Sequence, residues 1–271
     1  MSEELLSLLF PFRDDSAEGR LANFEWLRDF YHHELPDAEI VIGEDTGHPF
    51  SKTCALNNAF RRCHGDIIVL LDADCYIEPS VITQCAQRIR KARQLGEPLW
   101  FVPYRHLFRL TKEATARLIV SDPEHAHRFS VPPKFVDCGD MHGSGAGHWF
   151  GALIQIMPRE AFELAGGMPA DFRGWGGEDV TFVRILDTLL GITHRTSGNQ
   201  VIALWHPQHG DALLREWDGQ AKNKVTGLST GANNKLAVRY RQVYRDRERT
   251  RAIIREWQAN PAFAENVIRA V

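Results

Sequence analysis

Two acidic features about a hundred residues apart carry the chemistry open to this sequence. Asp72-Ala73-Asp74 closes the apolar run Ile67-Ile68-Val69-Leu70-Leu71, and Gly174-Trp175-Gly176-Gly177-Glu178-Asp179 places two adjacent carboxylates behind a glycine-rich turn. A nucleoside diphosphate is strongly negative, so a carboxylate binds it only through a bridging cation. With one small residue between two aspartates, one carboxylate can hold the metal while the other reaches a ribose or sugar hydroxyl. Hard oxygen ligands of this kind suit Mg²⁺ or Mn²⁺. In the second run the glycines let backbone and indole approach a ligand closely. One of the two acids behind them can take the proton of an attacking hydroxyl. The pair of features points to transfer of a sugar from a metal-bound nucleotide. The plainer alternatives are a solvated turn at a strand end and a helix start whose acids suit its dipole.

The elements that must position these residues alternate. Residues 7–12 read as a first strand, and Phe24, Leu27 and Tyr31 mark a helix by their spacing. Residues 38–42 read as a second strand, and Ser51 is placed to cap a helix that Gly65 stops. Residues 67–71 are apolar on both faces, as a buried parallel strand requires. Strand–helix–strand–helix–strand over the first ~80 residues implies an α/β, Rossmann-like, mostly parallel sheet flanked by helices, with ligands at the strands' C-terminal ends. Further along, 81–93 reads as a helix, 99–102 as a fourth strand and 111–120 as a helix. Strands are expected at 150–156 and 201–205, with a short helix that starts at 158–162 and ends at Gly166-Gly167, and a longer one over 180–190. Residues 219–234 read as a mobile loop and 235–257 as one charged helix. We expect a catalytic domain over 1–218 and a loop with a helical extension over 219–271.

In their order along the chain, these motifs resemble the GT-A fold glycosyltransferases. The likeness is to the β-1,4-galactosyltransferase, chondroitin polymerase and polypeptide N-acetylgalactosaminyltransferase type. It is carried by Phe10-Pro11-Phe12-Arg13-Asp14, Phe50-Ser51-Lys52 through Asn57-Asn58, Leu71-Asp72-Ala73-Asp74, Phe150-Gly151-Ala152, and Gly166-Gly167-Met168 leading into the Gly174–Asp179 run. The resemblance implies a metal-dependent inverting transferase that moves a hexose or N-acetylhexosamine from a UDP-sugar to an acceptor hydroxyl. It puts Arg13 at the nucleotide base or phosphates, Glu44 or Asp45 near base and ribose, and Asn58 near the donor. It puts Asp72 and Ala73 on ribose or donor sugar, and Asp74 on the Mn²⁺ or Mg²⁺. Trp175 and Gly177 would border the sugar sites, Glu178 would bind hydroxyls and Asp179 would be the base. The second metal ligand would be His206, with His209 as its rival in the same short loop. After Asp179 the chain has Val180-Thr181 where the galactosyltransferases carry more acids.

Composition limits the alternatives. A net charge of −3 argues against a protein that coats DNA. Five cysteines without a CxxC pair read as free thiols in a reducing compartment. The N-terminus lacks the basic n-region of a signal peptide, and no run reaches the ~20 apolar residues of a bilayer span. A cytoplasmic protein is expected, with peripheral membrane attachment open. The arginines at 239, 241, 245, 247, 249, 251 and 255 form a solvated face or a docking surface for anionic lipid, nucleic acid or a partner. The Gly-rich stretch 139–147 lacks the ending of a phosphate loop and reads as a wall on the acceptor side. Glycan, lipid-linked sugar, protein, small metabolite and modified nucleobase remain open as acceptors. Nucleotidyl transfer and nucleotide-sugar binding without turnover are the competing functions.

Overall fold

Three apolar runs pair in parallel at the centre of the computed structural model, which describes residues 5–14, 19–121, 136–140, 153–174, 176–206 and 231–268. They are β1 (Leu6–Pro11), β2 (Glu39–Gly43) and β3 (Ile67–Leu71), all five residues of β3 being buried. Leu8 lies between Ile40 of β2 and Val69 of β3, so side chains of like character stack across the sheet. An antiparallel strand, β7 (Ile154–Pro158), completes the order β2-β1-β3-β7. Because the first three strands run the same way, their exits Phe12-Arg13, Glu44-Asp45 and Asp72-Ala73-Asp74 gather at one edge.

The connecting helices are α1 (Arg20–Glu34) and α2 (Lys52–Arg62). Ser51 caps α2 as expected, accepting from the Cys54 amide at 3.2 Å. Gly43 is required where α2 crosses β2, since a Cβ there would lie 2.0 Å from the Ala55 carbonyl oxygen. After β3 come the two-residue β4 (Cys75–Tyr76) and α3 (Pro79–Gln94), with proline in the first turn, where its missing N–H costs nothing. Residues 99–102 do not form the expected strand. Phe101 alone bridges Ile156 and Arg195, because Pro98 and Pro103 remove donors on either side.

A second sheet, not foreseen, has the order β4-β8-β5-β6. Its other strands are β5 (His106–Arg109), β6 (Val136–Asp140) and β8 (Gln200–Ala203), and α4 (Lys112–Ile119) follows β5. Asp140 therefore ends a strand, where a loop was expected from 139 onward. The antiparallel β4–β8 pair brings distant residues to the acidic turn, with the Leu204 amide donating to the Asp74 carbonyl at 2.8 Å.

Helices α5 (Arg159–Leu164) and α6 (Glu178–Leu190) cover the other side, where Phe162 stacks 4.3 Å from Phe60 and meets Phe182 edge-on. The charged C-terminal stretch is two helices, α7 (Ala232–Gln242) and α8 (Arg247–Gln258), where one was expected. Arg245 adopts a left-handed φ of 72° and Asp246 caps α8, accepting from the Arg249 amide at 3.0 Å. The pair is a stop and a start within two residues. Tyr240 and Trp257 are buried, each apolar body contributing about 1.5–3 kcal/mol by leaving water. No helix among the described residues is long and apolar enough to cross a membrane.

Candidate active site

The acidic turn is held by its backbone. The Asp72 amide donates to the Leu153 carbonyl at 2.9 Å, and the Cys75 amide returns to the Asp72 carbonyl at 3.0 Å. Asp74 is thereby presented to β8's exit, where His206 Nε2 lies 2.9 Å from its Oδ2. Trp205, one residue earlier, is fixed by its amide to Thr115 Oγ1 at 2.8 Å and by its carbonyl to Asn23 Nδ2 at 2.9 Å. The Cys75 thiol donates to Asp74 Oδ1 at 3.2 Å. Ligand-type atoms of Asp72, Asp74 and Cys75 all lie within 4.8 Å of one another. A carboxylate and an imidazole converging in this way are donors that could hold a divalent cation.

The second acidic feature reaches the same edge. Gly176 and Gly177 have φ of 106° and 91°, which a side chain would strain, and a Cβ on Gly177 would press on Ala237 at 3.1 Å. The tight turn starts α6 at Glu178. Glu178 is buried, its Oε2 accepting from the Gly176 amide at 3.1 Å. The neighbouring Asp179 is 2.7 Å from Lys52 Nζ through its Oδ1, and the same ammonium pairs with Asp72. One cation from α2 thus ties the turn after β3 to the start of α6. Burial opposes the Lys52 charge, but Asp179, Asp72 and Glu178 outweigh it and hold the ammonium well above its ordinary range. Asp179 stays above the usual carboxylate range. Burial raises it most, Lys52 pulls it down, and Glu178 and Asp72 push it up again.

Beside this edge lies a cavity of about 430 Å³, lined by Phe12, Arg13, Phe24, Ile42, Glu44 and Asp45 among others. Phe12 and Phe24 stack at 4.2 Å along it. Arg13 sits over the Phe50 ring at 5.1 Å and donates to the Gly47 carbonyl at 2.7 Å.

Comparison with known proteins shows what the chain is similar to. A model described as glycosyl transferase family 2 matches residues 45–125, and one described as the N-terminal domain of galactosyltransferase matches 144–201. Over these two stretches the chain is similar to glycosyltransferases. Mouse chondroitin sulfate synthase 3 is 24% identical over 213 residues, 76% of this chain and 21% of that protein. The chain therefore spans about a fifth of that relative's length. The catalytic domain of Drosophila β-1,4-galactosyltransferase 7, in complex with xylobiose, gives a TM-score of 0.44 at 17% identity, covering 87% of this chain and 80% of that one. GalNAc-T7 with UDP, GalNAc and Mn²⁺ gives 0.48 at 13% identity, covering 97% and 53%.

Within this fold the residues singled out in the sequence fall into three groups. Asp72, Ala73, Asp74, Gly177, Glu178, Asp179 and His206 meet at the strand-end edge. Arg13, Glu44 and Asp45 line the adjacent cavity. Asp45 is also a local clamp, accepting from the Ser51 amide at 2.9 Å and from Arg173 Nη1 at 3.2 Å. Asn58 sits behind the β2 exit, its Oδ1 accepting from Arg62 at 2.8 Å and from the Glu44 amide at 3.4 Å. Trp175, His209, and residues 141–152 and 207–230 lie outside the described residues. Sequence reasoning missed Lys52, whose signal was present. It is a cation directly after the cap of a helix that follows a strand exit, inside a stretch already noted for its resemblance.

Proposed function

We propose that the chain is a metal-dependent inverting glycosyltransferase moving a hexose or N-acetylhexosamine from a UDP-sugar to an acceptor hydroxyl. One observation carries the reading: a metal-type pair, Asp74 with His206, and a carboxylate fit to act as a base, Asp179, share one edge beside a nucleotide-sized cavity. Asp74 and His206 would hold Mn²⁺ or Mg²⁺. A cation bound there offsets the diphosphate charge that grows as the glycosidic bond breaks. Arg13 and Glu44 orient the base and ribose in the cavity, with Asp45 and Asn58 shaping its wall. Asp72 and Ala73 face the ribose or donor sugar. Glu178 holds hydroxyls and Gly177 leaves room for them. Asp179 accepts the acceptor's proton as its oxygen attacks the anomeric carbon from the face opposite UDP.

Residues 1–218 form the catalytic domain in this reading, with 219–271 as a loop and helical extension. The described cysteines, Cys54, Cys63, Cys75 and Cys85, are buried and form no disulfide with one another, in keeping with a reducing, cytoplasmic setting. The acceptor is a glycan, lipid-linked sugar, protein, small metabolite or modified nucleobase.

A screen of nucleotide-sugars with Mn²⁺, reading slow release of free nucleotide without acceptor, tests the reading. One UDP-linked sugar should be consumed, and chelation should stop it. Consumption of a nucleoside triphosphate with pyrophosphate release would replace it by nucleotidyl transfer. Tight donor binding without turnover, even with acceptors added, would leave a binding protein.

A further inference from the structure

Lys52 has no part in the mechanism above, yet it occupies the centre of the site. It is the first residue of α2, and Ser51 fixes where that helix begins. The Ser51 hydroxyl also donates to the Phe172 carbonyl at 2.8 Å, which locks the start of α2 to the chain running into the glycine turn. The Lys52 side chain is 15% exposed, and those of Asp72 and Asp179 are 19% and 13% exposed. A long, flexible side chain loses rotamer freedom when held this way, and a mostly buried ammonium is costly unless fully paired. Both costs are met because two carboxylates from separate elements converge on it.

We propose that Lys52 is the positioning residue of the base. Its ammonium fixes Asp179 Oδ1 so that Oδ2 faces the acceptor hydroxyl, and its bond to Asp72 sets the base at a constant offset from the donor side. The inference rests on the reading of Asp179 as the base. Asp179 is faced by Lys52 from α2, by Asp72 from the turn after β3, by Glu178 of its own helix and by Tyr104 ahead of β5. Of these Lys52 is the one cation. Without it Asp179 would face the charges of Glu178 and Asp72 uncompensated, and like charges so placed favour its protonated form. A protonated Asp179 takes no proton from a hydroxyl.

The test compares Lys52→Met and Lys52→Arg in the full chain, with Mn²⁺ and the donor found by the screen. In Lys52→Met, kcat should fall about a hundredfold, in the range of a lost general base, while the KM for donor changes less than about threefold. The acid limb of the kcat profile should move to higher pH, and Lys52→Arg should recover most of the rate. A raised donor KM with an unmoved acid limb would make Lys52 a donor contact and overturn the proposal, as would full activity. Carboxyl NMR titration of Asp179 in the wild-type protein and both variants gives a readout independent of turnover. An upward shift of the Asp179 midpoint in Lys52→Met supports the coupling, and an unchanged midpoint refutes it. If no donor is consumed in the screen, the functional reading fails while this titration still decides the Lys52–Asp179 link. If Lys52→Met does not fold, Lys52→Gln takes its place in both measurements.

Discussion

Asp179 and Asp187 stand about two turns apart on α6, and their surroundings differ in kind. Asp187 is fully buried and accepts from four groups: Trp100 Nε1 at 3.2 Å, the His194 amide at 2.7 Å, His194 Nδ1 at 3.2 Å and the Tyr244 hydroxyl at 3.3 Å. These come from the stretch before β5, the loop after α6 and the break between α7 and α8. Asp179 touches solvent and, among the described residues, bonds to one side chain, Lys52. A carboxylate whose acceptor positions are filled from three directions is a tie between segments. One held by a single oxygen at the C-terminal edge of a parallel sheet keeps the other for a ligand. Burial alone does not mark a functional acid, and what separates these two is how many of their acceptor positions the fold already uses.

That contrast predicts different failures. Asp187→Ala removes the acceptor of two buried donors, the Trp100 indole N–H and the His194 amide. It should cost about 3–5 kcal/mol of stability, read as a lower urea midpoint at constant slope. A loss under about 1 kcal/mol would deny its role as a tie. Asp74→Ala and His206→Ala act at the other end. Each should raise the Mn²⁺ needed for half-maximal donor consumption at least about tenfold, with the thermal midpoint kept within about 2 °C. An unchanged metal requirement in both variants would remove them as the ligand pair.

A third carboxylate extends the comparison beyond α6. Burial pushes Asp171 up to about 6, above its unfolded value of 3.8. The native state therefore favours the protonated form. Its stabilising contribution is complete below the unfolded pKa and is lost as pH rises through about 6. Asp171→Asn should flatten the pH dependence of stability between about 4 and 6 by roughly 1–2 kcal/mol. It should leave the metal requirement untouched, and unfolding curves that stay parallel to wild type would contradict this.

What was legible in the sequence was local. The five apolar residues of β3 pointed to a buried strand, and an acidic pair at its end could only sit at a sheet edge. Ser51 as a cap was readable for the same reason. His206 was within reach because a short apolar run leads into it. The misses are non-local. The β4–β8 pairing joins a two-residue strand to one far along the chain, and neither has a period long enough to detect. The Lys52–Asp179 contact spans 127 residues, and nothing beside Lys52 announces it. The break at Arg245–Asp246 lay hidden in an arginine-rich stretch with good helix propensity throughout, where the cap and the left-handed residue outweigh propensity.

The account stands most directly on Asp179. Single-turnover release of UDP from the consumed donor, with Mn²⁺ and water as acceptor, should be about 10²–10⁴ times slower in Asp179→Asn, with its thermal midpoint within about 2 °C of wild type. A folded Asp179→Asn variant that releases UDP at the wild-type rate would contradict it.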